Sequence, residues 1–277
     1  MLRVEDLDRP RVVPGAEARQ LDDLRWLGLD WDEGPDVGGP AGPYRQSERT
    51  ARYEAALDQL ARRDLLYRCD CSRAEIARVA SAPHAGDEGP RYPGTCRRFG
   101  MRSRAWKRPP AVRLRVPAGE VAVEDALQGR FAQDVAAAVG DFVLRRGDGT
   151  FAYQLAVVAD DLAMGVTEVV RGADLLPSTP RQVLLARLLD GTPPRWAHVP
   201  LVVAADGSRL AKRAPGITIR DHRDAGESPA QLVDGLARLL GLAGGGAPRA
   251  MLATFDRRVL VGRACVRLPP GSRFAVR

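Results

Sequence analysis

Apolar residues recur along this chain with two different periods. Helical spacing is found from Ala16 to Leu27, where Leu21, Leu24 and Leu27 stand three apart, and after Ser47, where Ala51, Ala55, Ala56 and Leu60 share one side. It returns from Gln154 to Met164 and from Arg181 to Leu189. It is clearest from Pro229 to Leu240, with Leu232, Leu236, Leu239 and Leu240 on one stripe. Ser72 and Glu75 form a capping box that opens a further helix. Strand patterns occupy Leu2 to Val4, Leu65 to Cys69, Ala111 to Val116, Thr167 to Arg171 and His198 to Val203. Phe142 to Leu144 and Phe151 to Tyr153 flank Gly147-Asp148-Gly149, which predicts a hairpin with Tyr153 at the end of its second arm. Gly34 to Pro43 and Ser81 to Arg97 read as loops, Gly241 to Pro248 as a linker, and the last thirty residues give only a weak strand. No internal repeat is visible. Strands alternating with helices predict an α/β protein with a parallel sheet, into which the cysteine-bearing segment is inserted.

Composition removes several classes without choosing among the rest. The 277 residues include 28 Gly and 21 Pro and are 45% hydrophobic. Gly and Pro thus stay below the roughly 25% that marks low complexity, and no apolar run reaches the ~18 residues that cross a bilayer. Acidic residues within Met1 to Asp8 stand where a secretory signal has its apolar centre, so a cytoplasmic protein without membrane contact is expected. A formal charge of +7 suggests a polyanionic partner, although the charge is spread along the chain. Only Lys107 and Lys212 are lysine, which makes a lysine in a polar loop conspicuous.

Three groups of residues carry candidate chemistry. Cys69 and Cys71 can grip one ion from a tight turn, and Cys96, arriving from a loop without apolar anchors, completes three corners of a tetrahedral zinc shell. His84, Tyr92 and Cys265 are open as the fourth ligand. A polar loop from Asp206 to Arg213 gathers Arg209, Lys212 and Arg213 after a strand and suits a phosphate clamp. Tyr153, Asp160, Asp161 and Arg171 fall near strand ends, where α/β proteins bind ligands, and Arg171 can hold a carboxylate bidentately.

Taken in order, these residues resemble a family. Val4-Glu5-Asp6-Leu7-Asp8, the run Pro43 to Arg49, Tyr153 with Val157 to Asp161, Gly165 to Gly172, and Arg209 to Arg213 are similar to the motifs of the glutamyl branch of class I aminoacyl-tRNA synthetases. The resemblance covers residues 2 to about 242. It implies a Rossmann-type core in 1–68 and 111–242, a zinc-binding insertion in 69–110 and a C-terminal extension in 243–277. The cysteine arrangement and the short chain look like the subfamily that glutamylates the queuosine base of tRNA(Asp). The 35 residues after 242 are too few for a helical anticodon-binding domain.

The resemblance further implies that glutamate is activated with ATP and Mg2+. Glu5 would meet the substrate ammonium, Tyr153 and Arg171 would contact glutamate, and Arg209 with Lys212 would meet the ATP phosphates, Lys212 as the catalytic charge. Cys69, Cys71, Tyr92 and Cys96 would hold structural zinc. The positive charge becomes an expected tRNA-facing surface, with no DNA partner.

Two departures from the family pattern stand out. Ala211 replaces a serine in the lysine loop, and no His-Ile-Gly-His-type signature is present, since His84, His198 and His222 lie in other contexts. The chain opens on what would be the family's second strand, so the first strand is expected to be missing. Met1 falls where the family has an aliphatic residue within a strand, which points to a start assigned too far downstream. A true truncation, leaving a catalytically weak or inactive tRNA-binding zinc protein, is the alternative, and a repurposed RNA-binding or regulatory protein is a further one. The expected consequences are an exposed apolar sheet edge, self-association, and weak glutamate-dependent pyrophosphate exchange.

Overall fold

The computed structural model describes residues 1–79, 91–208, 210, 218–269, 272 and 274. From the N-terminus, helix α1 (Ala16–Trp26) and helix α2 (Thr50–Arg62) lead to strand β1 (Leu66–Cys69) and helix α3 (Arg73–Val79). Strands β2 (Ala111–Leu114), β3 (Glu120–Asp125) and β4 (Gly129–Asp134), the single-turn helix α4 (Val135–Ala138) and β5 (Val143–Arg145) follow. The second half contains α5 (Tyr153–Ala163), β6 (Glu168–Gly172), α6 (Thr179–Leu188), β7 (Arg195–Val199) and β8 (Leu201–Val203). It closes with α7 (Ile219–Asp224), α8 (Pro229–Leu240), α9 (Pro248–Met251) and β9 (Cys265–Arg267).

Among the described residues the strands form three sheets, ordered β1-β2-β5, β4-β3-β7-β6 and β8-β9. Parallel pairing joins β3 to β7, β6 to β7 and β8 to β9, whereas β1-β2-β5 and the β3-β4 hairpin are antiparallel. The α/β class holds, but the sheet is mixed rather than purely parallel. β6 forms one edge, and its Val170 is 63% exposed.

Local chemistry explains the boundaries. α2 buries Tyr53, Ala56, Leu57 and Leu60, an i, i+3, i+4, i+7 stripe. α8 begins with a reciprocal capping box between Ser228 and Gln231 and ends at Gly241, whose φ of 76° suits a left-handed cap. The segment predicted as one strand from His198 to Val203 starts earlier and divides into β7 and β8 around Pro200, which has no N–H for a ladder. The β3-β4 hairpin has no strong signal in its sequence. Its turn is organised by Asp125, whose Oδ1 accepts the N–H groups of Leu127 (3.0 Å) and Gln128 (2.8 Å).

Tyr153 is a correction. Arg145 and Phe151 do form an antiparallel bridge around the predicted turn, but the second arm stops there. Ala152 donates its N–H to Leu144 and becomes the extended cap of α5, so Tyr153 is the first residue of that helix rather than the end of a strand. The N-terminal Leu2 to Val4 pattern yields a single parallel bridge from Val4 to Arg45.

The main core packs α2, α5 and α6 against β1-β2-β5 and β3-β7, with Leu60, Leu114, Leu144, Leu155 and Leu185 almost wholly buried. Across it runs a polar knot. Asp160 on α5 accepts from Arg49 Nε (2.5 Å), Gln46 Nε2 (2.8 Å) and the Tyr53 hydroxyl (2.8 Å), while Arg49 Nη1 donates to the carbonyls of Ala41 and Pro43. Both charged side chains are fully buried. Removing one member strands the other, so Arg49→Met is expected to cost about 3–5 kcal/mol. Tyr53→Phe, which removes one bond to a charged acceptor, is expected to cost about 1.5–3 kcal/mol. Urea unfolding followed by circular dichroism measures both; midpoints equal to wild type would show that the knot adds nothing to stability.

Candidate functional site

Arg171 lies one residue before the end of β6 and stands in register with His198 on β7, so parallel pairing sets the two side chains next to each other. Four of the five guanidinium N–H groups find acceptors among the surrounding residues. Nε donates to His198 Nε2 at 3.0 Å, Nη1 to Gln182 Oε1 at 2.8 Å, and Nη2 to Thr179 Oγ1 at 2.9 Å and the Leu175 carbonyl at 3.3 Å. The Trp196 ring lies beneath it, 4.7 Å from the guanidinium carbon. These acceptors are neutral: burial holds His198 below the usual imidazole range, outweighing the pull of Asp125. Burial lowers the Arg171 pKa from its ordinary value, against the opposing pull of Tyr153, Asp161 and Asp174.

Tyr153 opens α5 beside this charge. It is 40% exposed. Burial raises its phenol, Arg171 opposes the rise and Glu5 adds to it, so Tyr153 lies within electrostatic reach of both. Asp161, two turns along the same helix, is raised by burial and restrained by Arg3, whose Nη1 donates to its Oδ1 at 2.7 Å. Arg3 also reaches Glu5 at 3.3 Å and Asp160 at 3.9 Å. Of the sequence-predicted trio, Arg171 and Glu5 each come within electrostatic reach of Tyr153. Arg3, Gln182, Thr179 and His198 join it without having been singled out. Arg3 lay next to a recognised motif, but the others reach the site through strand register and helix packing, which leave no local pattern.

The result is a place with separated charges of both signs. Arg171 supplies a cation braced by neutral groups, while Glu5 and Asp161 supply carboxylates with Arg3 between them. Such a pattern complements a zwitterion that carries an additional carboxylate. Arg209 and Lys212 lie outside the described residues; the turn leading towards them is built by Asp206, which accepts from the N–H and hydroxyl of Ser208.

The second assembly is the cysteine cluster. The Sγ atoms of Cys69, Cys71 and Cys96 all lie within 4.8 Å of one another, Cys71 and Cys96 at 3.6 Å. The Tyr92 hydroxyl oxygen lies 3.3 Å from Cys69 Sγ and 3.9 Å from Cys71 Sγ, and it accepts the Cys96 N–H at 2.8 Å. A tetrahedron with metal–sulfur bonds of about 2.3 Å has sulfur–sulfur edges of roughly 3.8 Å and sulfur–oxygen edges of roughly 3.5 Å, close to the Cys71–Cys96, Cys69–Tyr92 and Cys71–Tyr92 separations, so the donor set is compatible with a four-coordinate zinc shell.

Tyr92 is carried to the cluster by close backbone packing. Gly140 has φ of 75°, and a Cβ there would meet the Tyr92 carbonyl oxygen at 2.6 Å. Against the cost of burial, the Tyr92 hydroxyl, the Cys71 N–H and Arg113 hold the Cys69 thiol below its ordinary range. Burial and then the Cys69 charge push Cys71 up to about 12. Ionising Cys71 beside the Cys69 thiolate is therefore costly, and a cation between them would offset that cost. Cys265 sits exposed on β9, apart from the cluster, and His84 lies outside the described residues.

Comparison with known proteins places this architecture. The family model for tRNA synthetases class I (E and Q), catalytic domain, matches residues 1–250. The glutamyl-Q tRNA(Asp) synthetase of Nitratidesulfovibrio vulgaris (strain Hildenborough) is 51% identical over 254 residues, covering 90% of this chain and 78% of that protein. The protein of the same name from Nocardia farcinica is 52% identical over 260 residues, covering 92% and 78%. The crystal structure of glutamate-tRNA synthetase from Elizabethkingia anophelis superposes with a TM-score of 0.77 at 25% identity, over 97% of this chain and 61% of that one. This chain thus spans about three-fifths of that synthetase's length. With a family match running through residue 250 of 277 and an α/β core that superposes on a synthetase of known structure, the chain belongs to the class I tRNA synthetases of the E and Q branch.

Proposed function

We propose that this chain activates glutamate with ATP and transfers the glutamyl group to the queuosine base of tRNA(Asp). In the first step a glutamate carboxylate oxygen attacks the α-phosphorus of ATP, forming the glutamyl-adenylate and releasing pyrophosphate. In the second a nucleophile on the base attacks the glutamyl carbonyl and AMP leaves. The observation that carries the glutamate half is the Arg171 cation, braced by His198, Gln182 and Thr179, with Tyr153 within electrostatic reach of both Arg171 and the Glu5 carboxylate. The acceptor is inferred from the relatives, which carry that acceptor in their names.

In this reading Arg171 and Tyr153 hold a substrate carboxylate, and Glu5 meets the ammonium once its bond to Arg3 yields. Arg209 and Lys212 lie along the ATP phosphates, with Mg2+ accompanying the nucleotide. Adenylate formation depends mainly on placing the attacking oxygen and neutralising phosphate charge, which is work for fixed cations. Cys69, Cys71, Cys96 and Tyr92 would hold Zn2+ as a structural ion that ties β1 to the loop bearing Tyr92. No described helix is long and apolar enough to cross a membrane, and we place the work in the cytoplasm alongside tRNA.

The discriminating observable for the acceptor is which tRNA becomes labelled. Radiolabelled glutamate, ATP and the chain should label tRNA(Asp) that carries queuosine and leave queuosine-free tRNA(Asp) and tRNA(Glu) unlabelled. Label on tRNA(Glu) would overturn the proposal. Arg171→Ala removes charge-assisted hydrogen bonds worth about 1.5–3 kcal/mol, so glutamate binding measured by calorimetry should weaken roughly 10- to 100-fold. For the metal, elemental analysis should find one zinc per chain, and Cys96→Ser should lower the zinc content and the melting temperature together. A metal-free protein with an unchanged melting temperature would remove the structural role.

A further inference from the structure

Asp125, His198 and Arg171 sit on three adjacent strands, β3, β7 and β6, and their side chains form one continuous hydrogen-bonded line. Asp125 Oδ2 lies 2.6 Å from His198 Nδ1, with both side chains fully buried, and His198 Nε2 lies 3.0 Å from Arg171 Nε. A guanidinium can only donate. The nitrogen that faces it must therefore carry no proton, and the imidazole's single proton must sit on Nδ1, directed at Asp125. We infer that His198, locked by Asp125 in the tautomer protonated on Nδ1, is a positioning residue that aims the Arg171 guanidinium at a carboxylate of glutamate. The inference rests on the glutamate-site reading above.

Three observations support a positioning role over simple filling of the core. Asp125 is itself immobilised, since its Oδ1 accepts the N–H groups of Leu127, Gln128 and His198 at 2.8 to 3.1 Å. The orientation of the relay is thereby tied to the β3-β4 turn. Thr179 Oγ1 lies within hydrogen-bond distance of both His198 Nε2 (3.2 Å) and Arg171 Nη2 (2.9 Å), so the two groups share a hydroxyl that fixes their relative angle. Trp196 stacks on His198 with ring centroids 6.1 Å apart and also underlies Arg171, which fixes both planes. The neutral ring also keeps the Asp125 carboxylate away from Arg171. A direct Asp–Arg pair would neutralise the cation, whereas an interposed imidazole orients it and leaves its charge for the ligand.

The relay is tested by glutamate affinity in four variants and by the tautomer itself. Asp125→Asn keeps the shape, but if its oxygen stays with the three backbone N–H groups it presents an amide N–H to Nδ1. His198 must then carry its proton on Nε2, and two donors face each other across the Arg171 contact. His198→Phe removes the acceptor, whereas His198→Gln can place an amide oxygen where Nε2 was.

Asp125→Asn and His198→Phe should weaken glutamate binding at least about tenfold, the scale of one charge-assisted hydrogen bond, with ATP affinity and zinc content unchanged. His198→Gln should recover most of that loss. The wild-type protein has three histidines, so 15N-detected imidazole spectra, assigned by the resonance missing in His198→Phe, should show His198 neutral and protonated on Nδ1.

An Nε2-protonated His198 overturns the inference whatever the variants do. Loss of glutamate binding in Arg171→Ala with wild-type affinity in Asp125→Asn and His198→Phe overturns the relay alone. Wild-type affinity in Arg171→Ala overturns the glutamate-site reading and the relay with it.

Discussion

The buried pair between Asp160 and Arg49 is the constraint on which the site depends. Two opposite charges placed wholly out of water are tolerable when most of their remaining lone pairs and protons find partners. Asp160 meets that condition with Gln46 and Tyr53, and Arg49 meets much of it with the carbonyls of Ala41 and Pro43. Satisfying these two groups pins the N-terminal segment, α2 and α5 to one another at a single depth. The next residue along α5, Asp161, then emerges towards Arg3 and Glu5, and Tyr153 sits two turns back at the helix start. The Asp161 carboxylate is therefore placed by a neighbouring carboxylate that is itself fully buried.

This arrangement also explains why the motifs were legible in the sequence before their roles were. The run Pro43 to Arg49 and the run Val157 to Asp161 lie over a hundred residues apart, yet they are the two halves of one buried contact. The cysteines were readable for a similar reason, since a Cys-x-Cys turn and a third thiol from an unsupported loop have few other uses, and Tyr92 stands beside them. Helices with a strong apolar stripe, such as Pro229 to Leu240, were read to the residue. What escaped depends on interactions between distant segments. The β3-β4 turn is closed by an aspartate side chain in place of an Asn-Gly or Asp-Gly pair, and the mixed sheet direction is set by how that hairpin docks on β7. The placement of Tyr153 failed because the chain leaves the hairpin after one bridge and enters a helix, a choice made by the burial of α5 against the core.

His198 shows the limit most clearly. Judged by its sequence context it has no role, because a lone histidine at a strand end is ordinarily a packed core residue. Its partners stand 73 and 27 residues away, and only the order of β3, β7 and β6 makes them neighbours. Strand order is a global property, so no window along the chain contains it.

Two buried carboxylate–arginine systems of this protein then illustrate opposite uses of the same chemistry. Asp160 touches Arg49 directly, and the cation is exhausted in holding the fold together. Asp125 reaches Arg171 only through a neutral imidazole, so the cation is oriented without being spent. In a medium of low polarity a full charge pair at contact distance would outcompete an incoming carboxylate, whose own hydration must be surrendered on binding. Inserting one ring moves the fixed carboxylate several ångströms away and exchanges its strong attraction for a directed hydrogen bond. An arginine meant to recognise an anion needs a rigid mount more than a counter-ion, and a histidine held in one tautomer provides that mount.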